Sequence, residues 1–412
     1  AGEFVSVEQL SDHFSRPDLV ARRLDDDVAD DLRQALADIG DVRQMLAAGL
    51  PPKLALRSPA ESQQVERDFI LRFDIKPRNG GVGRIIYRVN GVVVGNPTAK
   101  PADIPAPYHR PFTLLPGRNV ISATIYNEKG TVESKPIQSI VHVEADTRQP
   151  TLHILALGVA DYRDRALQLK FAANDATAMV EALRQQGHSL FKSVQVTRLV
   201  DRQATLDGIH TAFRELAAQV QAHDVFVLFL SGHGITVDGQ YHFIPADVIY
   251  TNRKALQAGS VDQRRLQTWL GAIKAQKSLV LLDTCYAGAF RMATSGALPI
   301  FAMTKGLEEK SAIDKLMRAT GRAVIAASTE RQFALEGYKG HGVFTYALLQ
   351  GLRGAADTPN ARGQRDGYIT IDELADYVLD AVPELTMRKW GYEQFPMRQV
   401  EGKSFPIVRA RP

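Results

Sequence analysis

Two hydrophobic periods divide this chain. Between residues 65 and 146 the apolar positions alternate with polar ones: Phe69, Leu71, Phe73 and Ile75 share one parity. That is the period of a half-buried strand. Residues 85–89 and 92–94 flank Asn90-Gly91, a strong two-residue hairpin signal. Residues 119–126 and 137–143 read as further strands, with a turn over 127–130. Short strands joined by turn signals over about 80 residues predict an all-β sandwich of immunoglobulin type. It lacks the cysteine pair of antibody domains.

From residue 151 the apolar runs become continuous and alternate with helical spacing. Residues 152–159, 194–200, 225–230, 279–282 and 323–327 read as buried strands. Residues 172–186, closed by Gly187, and 204–220, 263–275, 343–352 and 371–379 read as helices. The fold class predicted is α/β: a doubly wound, mostly parallel sheet with helices on both faces and right-handed crossovers, preceded by the sandwich. Residues 1–60 are polar with short amphipathic pieces and end at Leu50-Pro51-Pro52, a helical extension that offers a place for a partner or an upstream domain. The predicted units are 1–60, 65–146 and 151–412.

Composition narrows the function classes. The net charge of +4 is the remainder of 50 basic and 46 acidic residues, and no Lys/Arg block points to nucleic acid. No apolar run reaches the ~18 residues of a membrane span. The first residues lack the basic and apolar regions of a signal peptide, so the expected location is cytoplasmic, with an N-terminus that looks like an internal cut. One cysteine leaves no internal disulfide.

That cysteine carries the chemistry. Residues 225–230 run into Ser231-Gly232-His233-Gly234, and 279–282 run into Asp283-Thr284-Cys285-Tyr286-Ala287-Gly288. Ligands of open α/β sheets sit at the carboxyl ends of the strands. If the two strands are parallel neighbours, His233 and Cys285 meet at one edge as base and nucleophile. The connection 286–321 that follows is too long for a simple crossover, which suits a substrate or activation loop. Arg365 to Glu373 looks like half of a calcium loop, but Arg362 and Gln364 fill ligand positions, so it reads as a turn before a capped helix. No His/Cys spacing suggests zinc.

These segments resemble the paired signature of caspase-like cysteine proteases, in which histidine precedes cysteine by about 50 residues. Gly158-Val159, Asn174-Asp175-Ala176, Ala326-Ala327-Ser328-Thr329, Glu336 and His341-Gly342-Val343-Phe344-Thr345 extend the likeness over residues 151–400. Animal caspases carry glutamine where Asp283 stands. An acid at the bottom of a pocket attracts a cation, so the chain is more similar to metacaspases and their bacterial relatives, which cleave after Arg or Lys. The resemblance implies His233 and Cys285 as catalytic residues, an oxyanion hole from the N–H groups of Gly234 and Cys285, and an S1 pocket of Asp175, Ser231 and Asp283. Tyr286 and Ala287 replace residues that are often His and Ser in metacaspases. No third residue orienting the histidine is visible. It further implies protein or peptide substrates and no required cofactor, and it leaves a Ca²⁺ dependence open without naming ligands. Processing of the 286–321 loop would regulate the enzyme, with Lys305, Lys310, Lys315, Arg318 and Arg322 as cleavage positions. The alternatives are an inactive scaffold of the same fold, a transpeptidase using the same thiol, and a nucleotide-binding module.

Overall fold

The computed structural model describes residues 5–10, 42–60, 63–98, 100–101, 107–144, 148–237, 240–286, 320–327, 335–359, 363, 365–400 and 404–410. The chain forms two compact units, Ala1–Arg148 with Ala319–Gly321, and Gln149–Arg318 with Arg322–Pro412.

In the first unit, β1 (Lys53–Leu56), β3 (Asp68–Lys76) and β6 (Tyr108–Thr113) form one sheet, in the order β1-β3-β6. A second sheet runs β2-β8-β7-β4-β5, built from β2 (Gln63–Val65), β4 (Ile85–Val89), β5 (Val92–Val93), β7 (Gly117–Ile125) and β8 (Ile137–Val143). The alternation in β3 does what it predicts: Phe69, Leu71 and Phe73 are buried with Ile85, Val89, Ile121, Ile125 and Val141 from the other sheet. Two sheets sharing one core make a β-sandwich. Asn90 and Gly91 both take positive φ, 54° and 88°, as the tight hairpin turn requires. One expectation is corrected here. β1 lies within the first 60 residues, which read as helical. Leu54 and Leu56 pair with Ile75 and Phe73, so the edge of β3 recruits a run too short to announce itself as a strand. The helical part of that region, among the described residues, is Val7–Leu10 and Val42–Ala47.

The second unit holds the large sheet. Its strands are β9 (Thr151–Gly158), β10 (Ser193–Val200), β11 (Val225–Val237), β14 (Lys277–Tyr286), β15 (Ala323–Ala326) and β19 (Met397–Gln399), in the order β10-β9-β11-β14-β15-β19. All pairs are parallel except β15 with β19. Buried on both faces, the strands read as continuous apolar runs. Leu228, Leu230, Val280 and Leu282 pack with the helices Leu206–Gln219 and Gln263–Ala272. Val227, Phe229, Leu279 and Leu281 face the helices Ala172–Gly187, Val343–Gln350 and Ile371–Trp390 on the other side. The stretch resembling half a calcium loop leads into a helix capped by Thr370 and Glu373 in a reciprocal box, as expected, but the residues just before the helix form a short strand, β18 (Tyr368–Thr370), rather than a turn. Among the described residues no helix is long and apolar enough to cross a membrane.

The central strands outrun their apolar cores. β11 and β14 stay paired through ten positions, from Val225 opposite Lys277 to Gly234 opposite Tyr286. β9 stops pairing with β11 at Ser231, and β15 stops pairing with β14 at Leu282. The sequence placed Ser231-Gly232-His233-Gly234 and Cys285 beyond the strand ends. They lie inside two strands that project past their neighbours, because main-chain pairing needs no apolar side chain. The outer end of β11 also pairs with β12 (Gln240–Phe243), which carries β13 (Val261–Asp262).

Arg322 is corrected as a cleavage position. Its side chain is buried, and its guanidinium donates to the carbonyls of Leu270 (2.6 Å), Ile273 (3.0 Å) and Ala275 (3.4 Å) and to Ser278 Oγ. A cation against the last carbonyls of the helix Gln263–Ala272 suits the helix dipole. No protease reaches it in the folded chain. Lys305, Lys310, Lys315 and Arg318 lie outside the described residues. Arg322→Met keeps the volume and strips these carbonyls of their donor. The expected loss is about 3 kcal/mol of stability, read as a lower urea midpoint at unchanged slope. An unmoved midpoint would refute this account of the residue.

Candidate active site

His233 and Cys285 are direct partners in the β11–β14 ladder. Residues opposite one another in parallel strands belong to the same face of the sheet. Their neighbour pair is Gly234 and Tyr286, so the main-chain groups of Gly234 and Cys285 are one register step apart.

The loop after β9 holds the histidine. Where the β9 ladder ends, the Tyr162 hydroxyl accepts the His233 main-chain N–H at 2.8 Å and supplies the missing rung. The Tyr162 and His233 rings lie 5.2 Å apart, tilted by 40°. Gly232, between them in the chain, has φ 147°, and an added Cβ would come within 2.8 Å of that hydroxyl. The same loop aims the Leu167 carbonyl at His233 Nε2, 2.9 Å away. A carbonyl only accepts, so Nε2 carries the proton and the neutral ring leaves Nδ1 as its acceptor. Nδ1 is buried and has no hydrogen-bond partner among the described residues. Burial lowers the His233 pKa, and the bond to Leu167 offsets part of that shift. The imidazole is therefore suited to receive a proton rather than to sit as a cation. The Asp201 carboxylate steadies the loop by accepting the N–H groups of Ala160 and Asp161, both at 2.8 Å.

Beside this pair is a small recess, open to solvent. Asp175, Ser231 and Asp283, the three residues expected in one pocket, all line it, together with Gly232, Gly342 and Glu336. Asp175 comes from the first turn of the helix Ala172–Gly187. Asp283 ends the apolar part of β14, and Glu336 opens β16 (Glu336–Tyr338), which pairs with β17 (His341–Gly342). Asp175 Oδ1 meets His341 Nδ1 at 2.7 Å, and its Oδ2 accepts the Gly342 N–H at 3.0 Å. Asp283 Oδ2 accepts the Thr345 hydroxyl.

Three carboxyl groups in one half-dry recess resist ionisation together. Burial pushes the Asp283 pKa up to about 7, aided by the charges of Asp175 and Glu336 and opposed by the Thr345 hydrogen bond. Burial also raises Asp175, against the pull of His341 and the Gly342 N–H. Glu336 is raised by burial, while the main-chain N–H groups of Lys170 and Phe171 hold it back. Such a recess favours a cation that lets the acids ionise.

Sequence reasoning did not find the roles of Tyr162, Leu167, Glu336 and His341. Leu167 acts through its main chain, which leaves no mark on residue type. Glu336 and His341 stood in the stretch that carried the family likeness, but only tertiary packing brings them to Asp175 and Asp283. Gly232-His233-Gly234 is strand, not a loop opening a helix, and so lacks the geometry of a phosphate cradle.

The family model for the caspase domain of the C14 peptidases matches residues 152–402. Two solved structures are similar to parts of the chain. One is protein GSU0716 from Geobacter sulfurreducens, 20% identical, covering 64% of this chain and 98% of that one, with a TM-score of 0.41. The other is the fibronectin(III)-like modules of Clostridium thermocellum CbhA, 19% identical, covering 22% of this chain and 96% of that one, with a TM-score of 0.18. No curated protein matches the chain.

Proposed function

The chain belongs to the caspase-domain family of cysteine peptidases, and we propose that it is an endopeptidase cleaving after Arg or Lys through Cys285 and His233. The observation that carries this reading is the register of His233 with Cys285 beside a recess lined by acids.

In the proposed mechanism Cys285 loses its thiol proton to His233 Nδ1 and attacks the scissile carbonyl carbon. The Leu167 carbonyl, bonded to Nε2–H, stabilises the imidazolium that forms and fixes the ring. The oxyanion is held by the main-chain N–H groups of Gly234 and Cys285. Collapse breaks the C–N bond, and the imidazolium gives its proton to the departing amine. Water, deprotonated by His233, then opens the thioester and restores the thiol. Asp283, with Ser231 at the same wall, takes the positive side chain that precedes the cut bond.

The test is a panel of fluorogenic peptides ending in Arg, Lys or Asp. Cleavage after Arg and Lys, absent for Asp and absent in Cys285→Ala, is expected. A preference for Asp would overturn the specificity, and an aminolysis product in place of hydrolysis would favour the transpeptidase. We also propose processing within 286–321 at Lys305, Lys310, Lys315 or Arg318; full activity of a chain that stays intact on gels would rule it out.

A further inference from the structure

Gln394 is fully buried in the loop between the helix Ile371–Trp390 and β19, and it does not line the recess. A buried carboxamide needs both its donor and its acceptor satisfied. Here Nε2 donates to the Ala327 carbonyl at 2.6 Å, and Oε1 accepts the Leu335 N–H at 3.1 Å. A carbonyl only accepts and a main-chain N–H only donates, so these two partners fix which way the amide points. The main-chain N–H of Gln394 is taken by Thr386 Oγ1 at 2.9 Å, which anchors the residue to the end of the helix.

The two bonded points belong to different parts of the site. Ala327 continues the β15 ladder: its N–H donates to the Leu282 carbonyl at 2.9 Å, one residue before Asp283. Leu335 begins the wall of the recess that continues through Glu336 to Gly342. The far end of that wall is tied to the helix Ala172–Gly187, where Asn174 Nδ2 donates to the Gly340 carbonyl at 2.9 Å and Asp175 accepts the Gly342 N–H. Gln394 ties the near end to the sheet.

We propose that Gln394 is a positioning residue: its carboxamide fixes the wall of residues 335–342 relative to the strand that carries Asp283 and Cys285, and so sets the width of the recess without touching substrate. The inference goes beyond the proposed cleavage after basic residues and rests on that reading for its kinetic readout. Methionine matches the length of glutamine and offers neither bond. Glutamate at neutral pH keeps an acceptor for Leu335 and loses the donor to Ala327.

The experiment compares Gln394→Met and Gln394→Glu with the wild type on an Arg peptide. Rates are referred to active sites titrated with a peptidyl-Arg chloromethyl ketone, so that lost folded enzyme is not read as a kinetic effect. Gln394→Met should raise KM about tenfold with kcat within about threefold, because the wall moves and the dyad does not. Alkylation of Cys285 by iodoacetamide, which needs no wall, should keep its rate. Gln394→Glu should fall between the wild type and Gln394→Met, and it supplies the reading if the methionine variant fails to fold. A residue that serves stability alone would lower the melting temperature and leave KM of the titrated enzyme unmoved; that result would overturn this inference and leave the proposed function standing. An alkylation rate that falls in step with kcat/KM would place the disturbance at the dyad and overturn it as well. A wild type that cuts after neither Arg nor Lys would remove the proposed function and this assignment with it.

Discussion

His233→Ala and Cys285→Ala should each lower kcat on an Arg peptide by about 10⁴-fold or more, and the double variant should be no worse than either single one. The reason is that the two residues act as a unit. A thiol without a base at hand is mostly protonated at neutral pH, and a base without the thiol has nothing to activate. Their ladder register and the tie from Nε2 to the Leu167 carbonyl make this coupling a geometric expectation. Independent losses that multiply in the double variant would mean that the two groups serve different steps. Alkylation by iodoacetamide supplies a second readout: it should modify wild-type Cys285 faster than the cysteine of His233→Ala at the same pH. Equal rates would show that the imidazole does not activate the sulfur.

The fold was legible in the sequence wherever burial alone writes the pattern. Residues 225–230 and 279–282 are apolar because both faces of β11 and β14 are covered, and Phe69, Leu71 and Phe73 alternate because only one face of β3 is. The site was legible only in part. Asp175, Ser231, His233, Asp283 and Cys285 could be named because chemistry restricts their types and the family likeness fixes their order. The length of β11 and β14 could not be read, since glycine, serine and histidine pair through main-chain groups that carry no side-chain signal. The same limit hid the Leu167 carbonyl. Tyr162 was hidden for another reason: its hydroxyl replaces a strand rung that is missing only because β9 ends first. β1 was missed because four residues without a strong period acquire their strand from a neighbour.

Asp283→Asn should reduce kcat/KM on Arg and Lys peptides by about 10²- to 10³-fold while leaving the fold intact. Buried beside Asp175 and Glu336, Asp283 ionises only near pH 7. A cationic side chain binds the ionised form, so binding below pH 7 must expel a proton. KM of the wild type should then rise about tenfold for each pH unit below 7 and level off above it. His233, whose pKa burial lowers, bears on proton transfer and so on kcat, which separates the two titrations. In Asp283→Asn the KM should be high and lack this acid limb. Stability runs the opposite way. An acid whose pKa is raised on folding keeps its proton in the folded chain between the ordinary carboxylate range and about 7. Its contribution is present at low pH and is lost as the pH climbs through 7. Asparagine carries no such loss and still accepts the Thr345 hydroxyl. The variant should therefore melt no lower than the wild type at pH 8, although it cuts far more slowly. A fall in melting temperature together with activity would make Asp283 a structural residue, and a KM that ignores pH in the wild type would remove it from the substrate's path.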